Sequence, residues 1–478
     1  MGSDVLNIPC GWDCKSLVDC TLSKNISYGI VQPGQHDENG IGIIRVNNFE
    51  NGELNTKDVL KVSPSIESKF MKTRLTGGEL LLTLVGSTGQ TAIVPKELIG
   101  WNVPRAVAVI RPSKDITAEW LNICLQSPYT KHFLDVRANT TVQKTLNLKD
   151  VKDIPIPLPP IEERNKLESI VVNITSKITL NRQINKTLEQ MAQTLFKSWF
   201  VDFDPVVDNA LDAGFFEQDL GFSEELLHRV EVRKAVRKSD NFKPLSEDIR
   251  RLFPDAFEEC AESALGLGGW VPKGWKGQPI KTHCVKIQNG GTPSRSNSDY
   301  WDGGNIPWLT SGEVRQSIVT NVENTITDLG LQNSSAKWVS SYSTLVALYG
   351  ATAGEVSINV DPLTTNQAIC ALIPKESYCW FNYLQVRNKT IEMQNQAVGS
   401  AQQNISKRLV ENLIVISPLP YIVEIFNQRV EPLFLKSIFN QKMAMELTKL
   451  RDTLLPKLIS GELSLSDIKI DIPEETLI

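Results

Sequence analysis

The side chains best suited to chemistry in this chain are arginines, amides and hydroxyls in loops rich in glycine and serine. Residues 290–301 read Gly-Gly-Thr-Pro-Ser-Arg-Ser-Asn-Ser-Asp-Tyr-Trp, and a second polar stretch follows at residues 306–315. Arginine can hydrogen-bond to two atoms of a guanine edge, Asn and Gln can do so with adenine, and hydroxyls can hold phosphates. This composition predicts a surface that contacts nucleic acid. Its candidate residues in this part of the chain are Thr292, Ser294, Arg295, Trp301, Ser311, Arg315, Thr352, Asn366, Gln367, Gln402 and Asn404.

The N-terminal part of the chain carries a comparable set of polar side chains. Asn, Gln and Ser in loops are also ordinary turn formers and plain surface residues, and that interpretation stays open for every residue in both sets. The N-terminal candidates for contact with nucleic acid are Arg45, Asn47, Asn48, Thr88, Gln90, Arg105 and Gln143.

Motifs for catalysis are absent from the sequence. It contains no G-x-x-x-x-G-K-[ST] phosphate loop, no H-E-x-x-H zinc motif and no G-x-S-x-G nucleophile motif. A glycine-rich methyl-donor loop and the Asn/Asp-Pro-Pro-aromatic tetrapeptide of amino-methyltransferases are also missing, and only four histidines are present as general bases. The chain is therefore predicted to read a target and not to react with it.

The elements that position these residues occur twice. Pro9-Cys10-Gly11-Trp12 returns as Pro272-Lys273-Gly274-Trp275, and the offset between repeated motifs stays between 259 and 263 along the chain. Residues 9–200 and 272–459 are thus two copies of one unit, which predicts a pseudo-dimer within one polypeptide. Residues 13–42 and 276–305 do not resemble each other in sequence, although the framework segments do. Similar scaffolds with dissimilar loops predict that the two copies read dissimilar sequences.

Each copy is predicted to be a mixed α and β domain that ends in a long helix. Short apolar runs at residues 41–46, 80–85 and 103–110 predict strands, and residues 119–136 have helical periodicity. Residues 155–160 read Pro-Ile-Pro-Leu-Pro-Pro, after which Ile161 opens a helix. In the second copy, Pro432 is predicted to kink or restart the helix and Pro456 to disturb its last turn.

Apolar residues at alternating spacings of three and four form a stripe on both long helices. One interpretation is that each stripe packs on the core of its own domain. The other is that the two helices pack against each other, antiparallel, and this second arrangement is the prediction. The residues expected in this helix interface are Leu188, Met191 and Leu195, facing Leu447, Leu450 and Leu454.

Charge is unevenly distributed along the chain. The net formal charge is -5, but residues 205–268 hold 14 acidic and 8 basic side chains, and residues 461–478 hold 5 and 1. Subtracting these net charges of -6 and -4 leaves +5 on the two repeats, which permits contact with phosphates. Residues 205–268 lie between the two copies and have no counterpart after the second one. They are either a linker or a docking surface for another subunit.

Cysteine usage favours a reducing compartment. None of the eight cysteines forms a C-x-x-C pair. Cys10, Cys14 and Cys20 cluster near His36, but their spacing fits no standard zinc pattern, and scattered thiols are the more ordinary interpretation. No apolar run approaches the roughly 18 residues of a membrane span, and no secretion signal is present. We therefore expect a cytoplasmic protein without a metal site.

With these motifs in order, the chain resembles the specificity subunit of a type I restriction–modification system. The resemblance covers nearly the whole chain, and the order and duplication of its motifs are more specific than any one motif. The segments that carry it are Leu158-Pro-Pro-Ile-Glu-Glu-Arg164, Thr194-Leu-Phe-Lys-Ser-Trp-Phe-Val-Asp-Phe-Asp-Pro205, Val271-Pro-Lys-Gly-Trp275, Gly290-Gly-Thr-Pro293, Ile306-Pro-Trp308 and Leu454-Leu-Pro-Lys-Leu-Ile-Ser-Gly-Glu-Leu463.

The resemblance implies an α+β chain with two target-recognition domains, each reading one half of a bipartite asymmetric site in double-stranded DNA. Two long antiparallel, coiled-coil-like helices would separate the domains and dock two modification subunits, alongside restriction or motor subunits. The methyl donor, ATP and Mg would then belong to those partners, and this chain would bind no cofactor. The implied order is residues 1–158 first recognition domain, 159–204 central spacer helix, 205–268 acidic connector, 269–418 second recognition domain, 419–461 C-terminal spacer helix and 462–478 acidic tail.

Two other functions remain as alternatives at this point. A self-contained DNA methyltransferase or nuclease is disfavoured because its motifs are missing. A coiled-coil scaffold that does not bind DNA is favoured only by the acidic isoelectric point of about 5.7.

Overall fold

The computed structural model describes residues 9–137, 139–140, 144–240, 242–260, 265–397, 404–460 and 462. The chain divides into two compact units, Met1–Thr179 with Met445–Ile478, and Leu180–Ala444. Both boundaries lie within the two long helices, Ile161–Phe200 and Pro420–Ile459. No helix within the described ranges has both the length and the apolar character of a membrane span. The acidic tail predicted at residues 462–478 lies, apart from Glu462, outside the described residues.

A four-stranded antiparallel sheet forms the centre of the first unit. Its strand order is Thr21–Tyr28, Val107–Pro112, Leu80–Thr83, Thr91–Ile93. Successive side chains of a strand point to opposite faces. Leu80 and Leu82 therefore enter one apolar core with the helix Ala118–Gln126, while Leu81 enters a second core. Burial on both faces explains why this strand reads as an uninterrupted apolar run.

Shorter elements surround this sheet. The remaining helices and 3-10 turns are Leu17–Cys20, Val46–Asn48, Pro64–Glu67, Ser68–Thr73, Lys96–Leu98, Pro128–Arg137 and Leu148–Lys152. The remaining strands pair as Asp13–Ser16 with Pro155–Leu158, Ile41–Ile43 with Leu60–Val62, Phe49–Glu50 with Glu53–Leu54, and Asn139–Thr140 with Lys144–Thr145.

The second unit contains the same sheet with one more strand. Its strand order is Cys284–Asn289, Ile369–Pro374, Thr344–Ala347, Val356–Asn359, Ile318–Val319. Alternate residues of these strands again enter two cores on opposite faces. A second sheet has the order Thr325–Ile326, Ile306–Leu309, Leu363–Thr365, Trp338–Val339, and the other strand pairs are Phe257–Glu259 with Trp270–Pro272 and Lys276–Pro279 with Ile414–Ser417. The helices and 3-10 turns are Asp204–Asp212, Phe215–Glu217, Glu224–Arg237, Glu247–Arg250, Ile280–His283, Ser298–Tyr300, Ser311–Arg315, Asp328–Gln332, Gly350–Thr352, Cys379–Asn388, Thr390–Asn395 and Lys407–Glu411.

The duplication predicted from sequence is present in the fold. It extends into residues 13–42 and 276–305, whose sequences do not resemble each other. Both segments contain a strand, a 3-10 turn and a second strand in the same order. These elements are Asp13–Ser16, Leu17–Cys20 and Thr21–Tyr28 in one copy, and Lys276–Pro279, Ile280–His283 and Cys284–Asn289 in the other.

The acidic connector is a packed part of the second unit and not a linker. Its apolar side chains, including Val206, Leu226 and Phe257, enter the main core of that unit. Its charges are largely matched internally, because aspartates four residues apart on one helix face arginines four residues apart on the next. This set, the ion-pair ladder, consists of Asp204 with Arg229, Asp208 with Arg233, and Asp212 with Arg237 and Arg250.

Within the second unit the two long helices run antiparallel, as predicted. The Asn185 amide donates to the Ser437 carbonyl at 2.9 Å, and the Asn440 amide donates to Asn185 at 3.0 Å. Further along, the Phe200 ring lies 4.9 Å from the Phe426 ring, centroid to centroid. Higher numbers on one helix thus meet lower numbers on the other. The helix Pro420–Ile459 also continues through Pro432, with no restart.

The predicted pairing of the two apolar stripes is wrong. Leu195 packs on the core of the second unit, whereas Leu454 packs on the core of the first. Met191 and Leu450 are about half exposed, at 51% and 47%. The reason is register, because Asn185 lies opposite residues 437–440, which excludes Leu188 from facing Leu447. Leu188 and Leu447 are each partly buried.

Candidate nucleic-acid interface

A backbone crossing in the first copy presents Arg105 to solvent. Gly29 passes so close to a neighbouring segment that a Cβ atom there would lie 1.7 Å from the Val103 carbonyl oxygen. Ile30 donates to the Val103 carbonyl at 2.8 Å, and the Arg105 amide donates back to Ile30 at 2.7 Å. The Arg105 side chain is exposed, and its guanidinium carbon lies 5.9 Å from the centre of the Tyr28 ring.

The second copy builds the same crossing from different residues. A Cβ atom on Gly290 would lie 1.9 Å from the Thr365 carbonyl oxygen, and Gly291 donates to that carbonyl at 2.9 Å. The exposed residue that follows in the turn is Gln367, and Asn289 donates its side-chain amide to the Gln367 carbonyl at 3.5 Å. The turns at residues 103–107 and 365–369, which we call the crossing turns, are therefore equivalent.

Further hydrogen bonds place a hairpin tip beside each crossing turn. Leu84 donates to the Ala106 carbonyl at 2.8 Å, and Leu348 donates to the Ala368 carbonyl at 2.8 Å. A third segment joins at the same point in both copies, with bridges between Val85 and Thr145 and between Tyr349 and Asn404. Three loops thus meet at one edge of each sheet. Of the predicted residues, this edge brings Thr88 and Gln90 near Arg105, and Thr292, Asn366 and Asn404 near Gln367.

A buried polar network holds the crossing turn of the first copy. Asn102, fully buried, donates to the Glu67 carboxylate at 3.0 Å and accepts from the Thr73 hydroxyl at 2.8 Å. The side-chain hydrogen bond from Arg74 lowers the pKa of Glu67, so this carboxylate stays charged at neutral pH. In the second copy, Thr364 occupies the place of Asn102 and donates to the Pro307 carbonyl at 2.9 Å.

Arg295 lies on an aromatic surface in the glycine- and serine-rich loop. Its guanidinium carbon is 3.8 Å from the Trp301 ring centre and 5.1 Å from that of Trp308. The Trp301 indole donates to the Ser294 carbonyl at 3.0 Å, which fixes the loop, and Trp308 donates to Gly291 at 2.9 Å. Arg295 is exposed and forms no ion pair with any described residue. The loop can thus offer a pre-positioned cation to an anionic or base ligand.

Three of the predicted contacts are buried or held in an ion pair. Asn48 is 3% exposed, and its amide donates to the Asn55 and Asp58 carbonyls at 2.9 Å each, so it anchors a loop and cannot reach a base. Thr352 is 5% exposed, so its prediction is also wrong. Arg45 is partly buried and pairs with Asp58 at 3.3 Å. Sequence reasoning missed these roles because loop position alone does not reveal burial.

The other predicted contacts that the structure describes are exposed or partly buried. Asn366 is partly buried and accepts the Ala368 amide at 3.1 Å, which shapes the crossing turn. Asn47, Gln90, Thr292, Ser294, Arg315, Gln367 and Asn404 are exposed, Thr88, Trp301 and Ser311 are partly buried, and Gln143 and Gln402 lie outside the described residues.

Tyr28, which is exposed, and Asn289, which is partly buried, lie at the crossings and are not among the residues predicted from sequence. The signal was present, because Gly29 and Gly290, which follow them, are separated by 290 - 29 = 261 residues, inside the offset range of the repeat. The loop sequences around them are too different to align by similarity.

The cysteines do not assemble into a metal site among the described residues, where no group of three or more His, Cys, Asp or Glu residues is suitably placed. Cys10 and Cys14 are exposed, and Cys20 is buried in the first unit. Burial raises the pKa of Cys20 to about 11, so this thiol stays protonated at neutral pH and is a poor metal ligand.

Comparison with known proteins agrees with the duplicated architecture. Residues 30–190 and 272–453 each match the family described as the type I restriction modification DNA specificity domain. The HindI specificity subunit of Haemophilus influenzae is 30% identical over 400 residues, which cover 78% of this chain and 84% of that protein. The MjaIX specificity subunit of Methanocaldococcus jannaschii is 23% identical over 396 residues, covering 82% and 79%.

A solved structure shares the fold. The S subunit of a type I restriction–modification system from M. genitalium superposes with a TM-score of 0.51 at 12% identity, covering 95% of this chain and 96% of that one. The mixed helix and sheet architecture and the internal repeat are thus those of a known fold. Because the family domain matches twice and together the matches span more than half of the sequence, this chain belongs to the family of type I restriction–modification specificity subunits.

Proposed function

We propose that this chain is the sequence-specific DNA-recognition subunit of a type I restriction–modification complex, and that each copy reads one half of a bipartite, asymmetric site. One observation carries the proposal. The carbonyls of both crossing turns accept two equivalent backbone hydrogen bonds from the neighbouring segments, yet the exposed side chains differ, with Arg105 in one turn and Gln367 in the other. A shared scaffold with different exposed donors and acceptors suits two half-sites of different sequence.

The division of labour follows from membership of the family. This subunit selects the DNA, while methyl transfer, ATP hydrolysis and cleavage belong to partner subunits with their own cofactors. We infer that modification subunits, two in number, dock on the long helices, on which Met191 and Leu450 are each about half exposed. A cytoplasmic location fits the unpaired cysteines and the DNA target.

A loop exchange tests the assignment of one half-site to one copy. Residues 276–315 of this chain are replaced by the corresponding loop of a relative with a different target, and the chain is assembled with its modification subunits. Methylated positions in host DNA are then sequenced. We expect one half of the recognised site to change and the other to stay the same.

Two controls make the exchange interpretable. Exchange of residues 13–42 should change the opposite half, and the parental chain should methylate a single bipartite site. Altered methylation in both halves after a single exchange would contradict the proposal. Binding to duplex DNA should also weaken steeply as salt increases, because phosphate contacts release counterions.

A further inference from the structure

We infer that the crossing turns are equivalent base-reading positions, with Arg105 reading guanine in one half-site and Gln367 reading adenine in the other, and with Tyr28 and Asn289 as their neighbours across the crossing. This inference rests on the proposed function and adds to it the residues and the base that each copy recognises at one position. Neither Tyr28 nor Asn289 stands out in the sequence. Their role follows from the backbone geometry that the two copies share.

The equivalence of the two positions rests on backbone contacts. In each copy a glycine passes a carbonyl oxygen at a distance that excludes any side chain, and the next residue donates to that same carbonyl. The residue before the glycine is Tyr28 in one copy and Asn289 in the other. The residue two positions after the carbonyl is Arg105 or Gln367. The same two backbone positions are thus brought together in both copies.

Asn289 is partly buried and donates its amide to the Gln367 carbonyl, whereas the other side chains at these positions are accessible and chemically different. Tyr28 is 43% exposed, and both Arg105 and Gln367 are exposed. Among the described residues Arg105 forms no ion pair, and its contact with the Tyr28 ring leaves its N–H groups available. Two of those groups match the paired acceptors O6 and N7 on the major-groove edge of guanine.

Gln367 has the complementary chemistry for adenine. Its side-chain oxygen accepts a hydrogen bond from Thr292, and a carbonyl oxygen keeps a second lone pair. The carboxamide therefore retains an acceptor for the adenine N6 amino group and a donor for N7. Thr292 orients this amide, so it acts as a positioning residue for the base contact.

The alternative for Arg105 is a phosphate contact, which carries no sequence information. Arg105 emerges from a turn that is held in place, because its own amide donates to the Ile30 carbonyl and the Val103 carbonyl lies against Gly29 on the facing segment. Base recognition requires such a fixed origin, because the two hydrogen bonds must match one base edge, whereas a phosphate accepts donors from many directions. We therefore assign Arg105 to a base.

Reciprocal exchange of the two residues tests the inference. The parental chain, Arg105→Gln and Gln367→Arg are each assembled with modification subunits and incubated with duplexes carrying randomised half-sites, and the bound DNA is sequenced. Arg105→Gln should change the preference at one base pair of one half-site from G·C towards A·T, by roughly 5- to 150-fold. Gln367→Arg should produce the opposite change in the other half-site.

Matched controls separate base reading from charge. Lys114→Gln removes one exposed positive charge from the first copy away from the crossing turn, and Gln332→Arg adds one to the second copy. Both should leave base preference unchanged. In each variant, the untouched half-site reports that the complex has folded and assembled.

Several outcomes would overturn the inference. If the Arg105→Gln complex bound all DNA sequences more weakly by the same factor, and its binding depended less on salt, Arg105 would be a phosphate contact. Unchanged preference in both exchanges would show that other residues read the bases. If the parental complex selected no sequence at all, the proposed function itself would fail, and that result differs from selective binding that ignores the exchange.

Discussion

The two copies of the repeat differ least in their backbones and most in the side chains at equivalent positions. The 3-10 turn that follows the first strand ends at Cys20 in one copy and at His283 in the other, and both side chains are buried. The second unit also contains the packed connector, residues 205–268, which belongs to neither copy. Main-chain contacts therefore maintain the repeat, so side chains can diverge in the core as well as on the surface.

The largest expected effect tests the connector, which is packed into the second unit. Asp208 is 5% exposed and accepts two hydrogen bonds from Arg233, at 2.6 and 2.9 Å. Asp208→Ala removes both of these charge-assisted hydrogen bonds and leaves Arg233 only the longer ion pair with Asp204, at 3.6 Å, which should lower the free energy of unfolding by about 3–5 kcal/mol. Urea denaturation of the full chain measures the loss, and hydrogen exchange locates it in the second unit.

A matched control for this variant is Glu231→Ala, which removes an exposed ion pair with Lys234 on the same helix. Little change is expected there, because exposed pairs are well solvated. If Asp208→Ala were as stable as the parent, the connector would not be a structural part of the unit.

The next prediction concerns pH and distinguishes the two copies. Burial lowers the pKa of His283 to about 4, whereas an unfolded histidine titrates near 6.5. Between these values the unfolded state binds a proton that the native state does not, so stability is full above pH 6.5 and decreases as pH falls towards 4. The decrease attributable to His283 should total about 3 kcal/mol.

The variant His283→Cys carries the residue of the first copy at this position. Its stability should depend less on pH between 4 and 6.5 than that of the parent, which is measured by urea denaturation at half-unit steps of pH. The first unit has no buried histidine at the equivalent site, so its hydrogen exchange should not follow this titration. Identical pH profiles for the two proteins would contradict the prediction.

A smaller and symmetric effect is expected at the glycines of the backbone crossings. Gly29→Ala and Gly290→Ala each place a Cβ atom within 2 Å of a carbonyl oxygen, so the strands must separate. Each should cost about 1–3 kcal/mol and increase hydrogen exchange in its own copy only. Gly312→Ala, whose Cβ would meet nothing closer than 3.9 Å, is the control. If only one of the two alanine variants lost stability and exchanged faster, the two crossings would not be equivalent.

The smallest effect is expected on the long helix. Met191 is 51% exposed, so Met191→Asp should change the free energy of unfolding of the isolated chain by no more than about 0.5 kcal/mol. Its neighbour Ala192 is fully buried, and Ala192→Asp should be strongly destabilising because it buries an unpaired charge. Weaker assembly of Met191→Asp with modification subunits, at unchanged stability, would support a docking role. A marked loss of stability would instead support the predicted burial of Met191 between the two long helices.

Much of the architecture is determined by local sequence. Proline at residues 155–160 and the acidic first turn predict where the first long helix begins, and the structure starts it at Ile161. The apolar run at residues 80–85 predicts a buried strand, found at Leu80–Thr83. Such features are readable because proline geometry and side-chain periodicity act within a few residues. The repeated motifs determine the duplication for the same reason.

Tertiary structure alone decided which side chains face which neighbours. The apolar stripes predict helix contact but not register, and the hydrogen bonds of Asn185 set a register that separates Leu188 from Leu447. Asn48 and Arg105 are both polar loop residues, yet Asn48 is buried and anchors a loop, whereas Arg105 is exposed. Burial and pairing depend on segments distant in sequence, whereas periodicity and turn chemistry do not. The sequence by itself therefore determined the family, the repeat and its elements, and only the packed chain decided which polar residues remain free to meet a ligand.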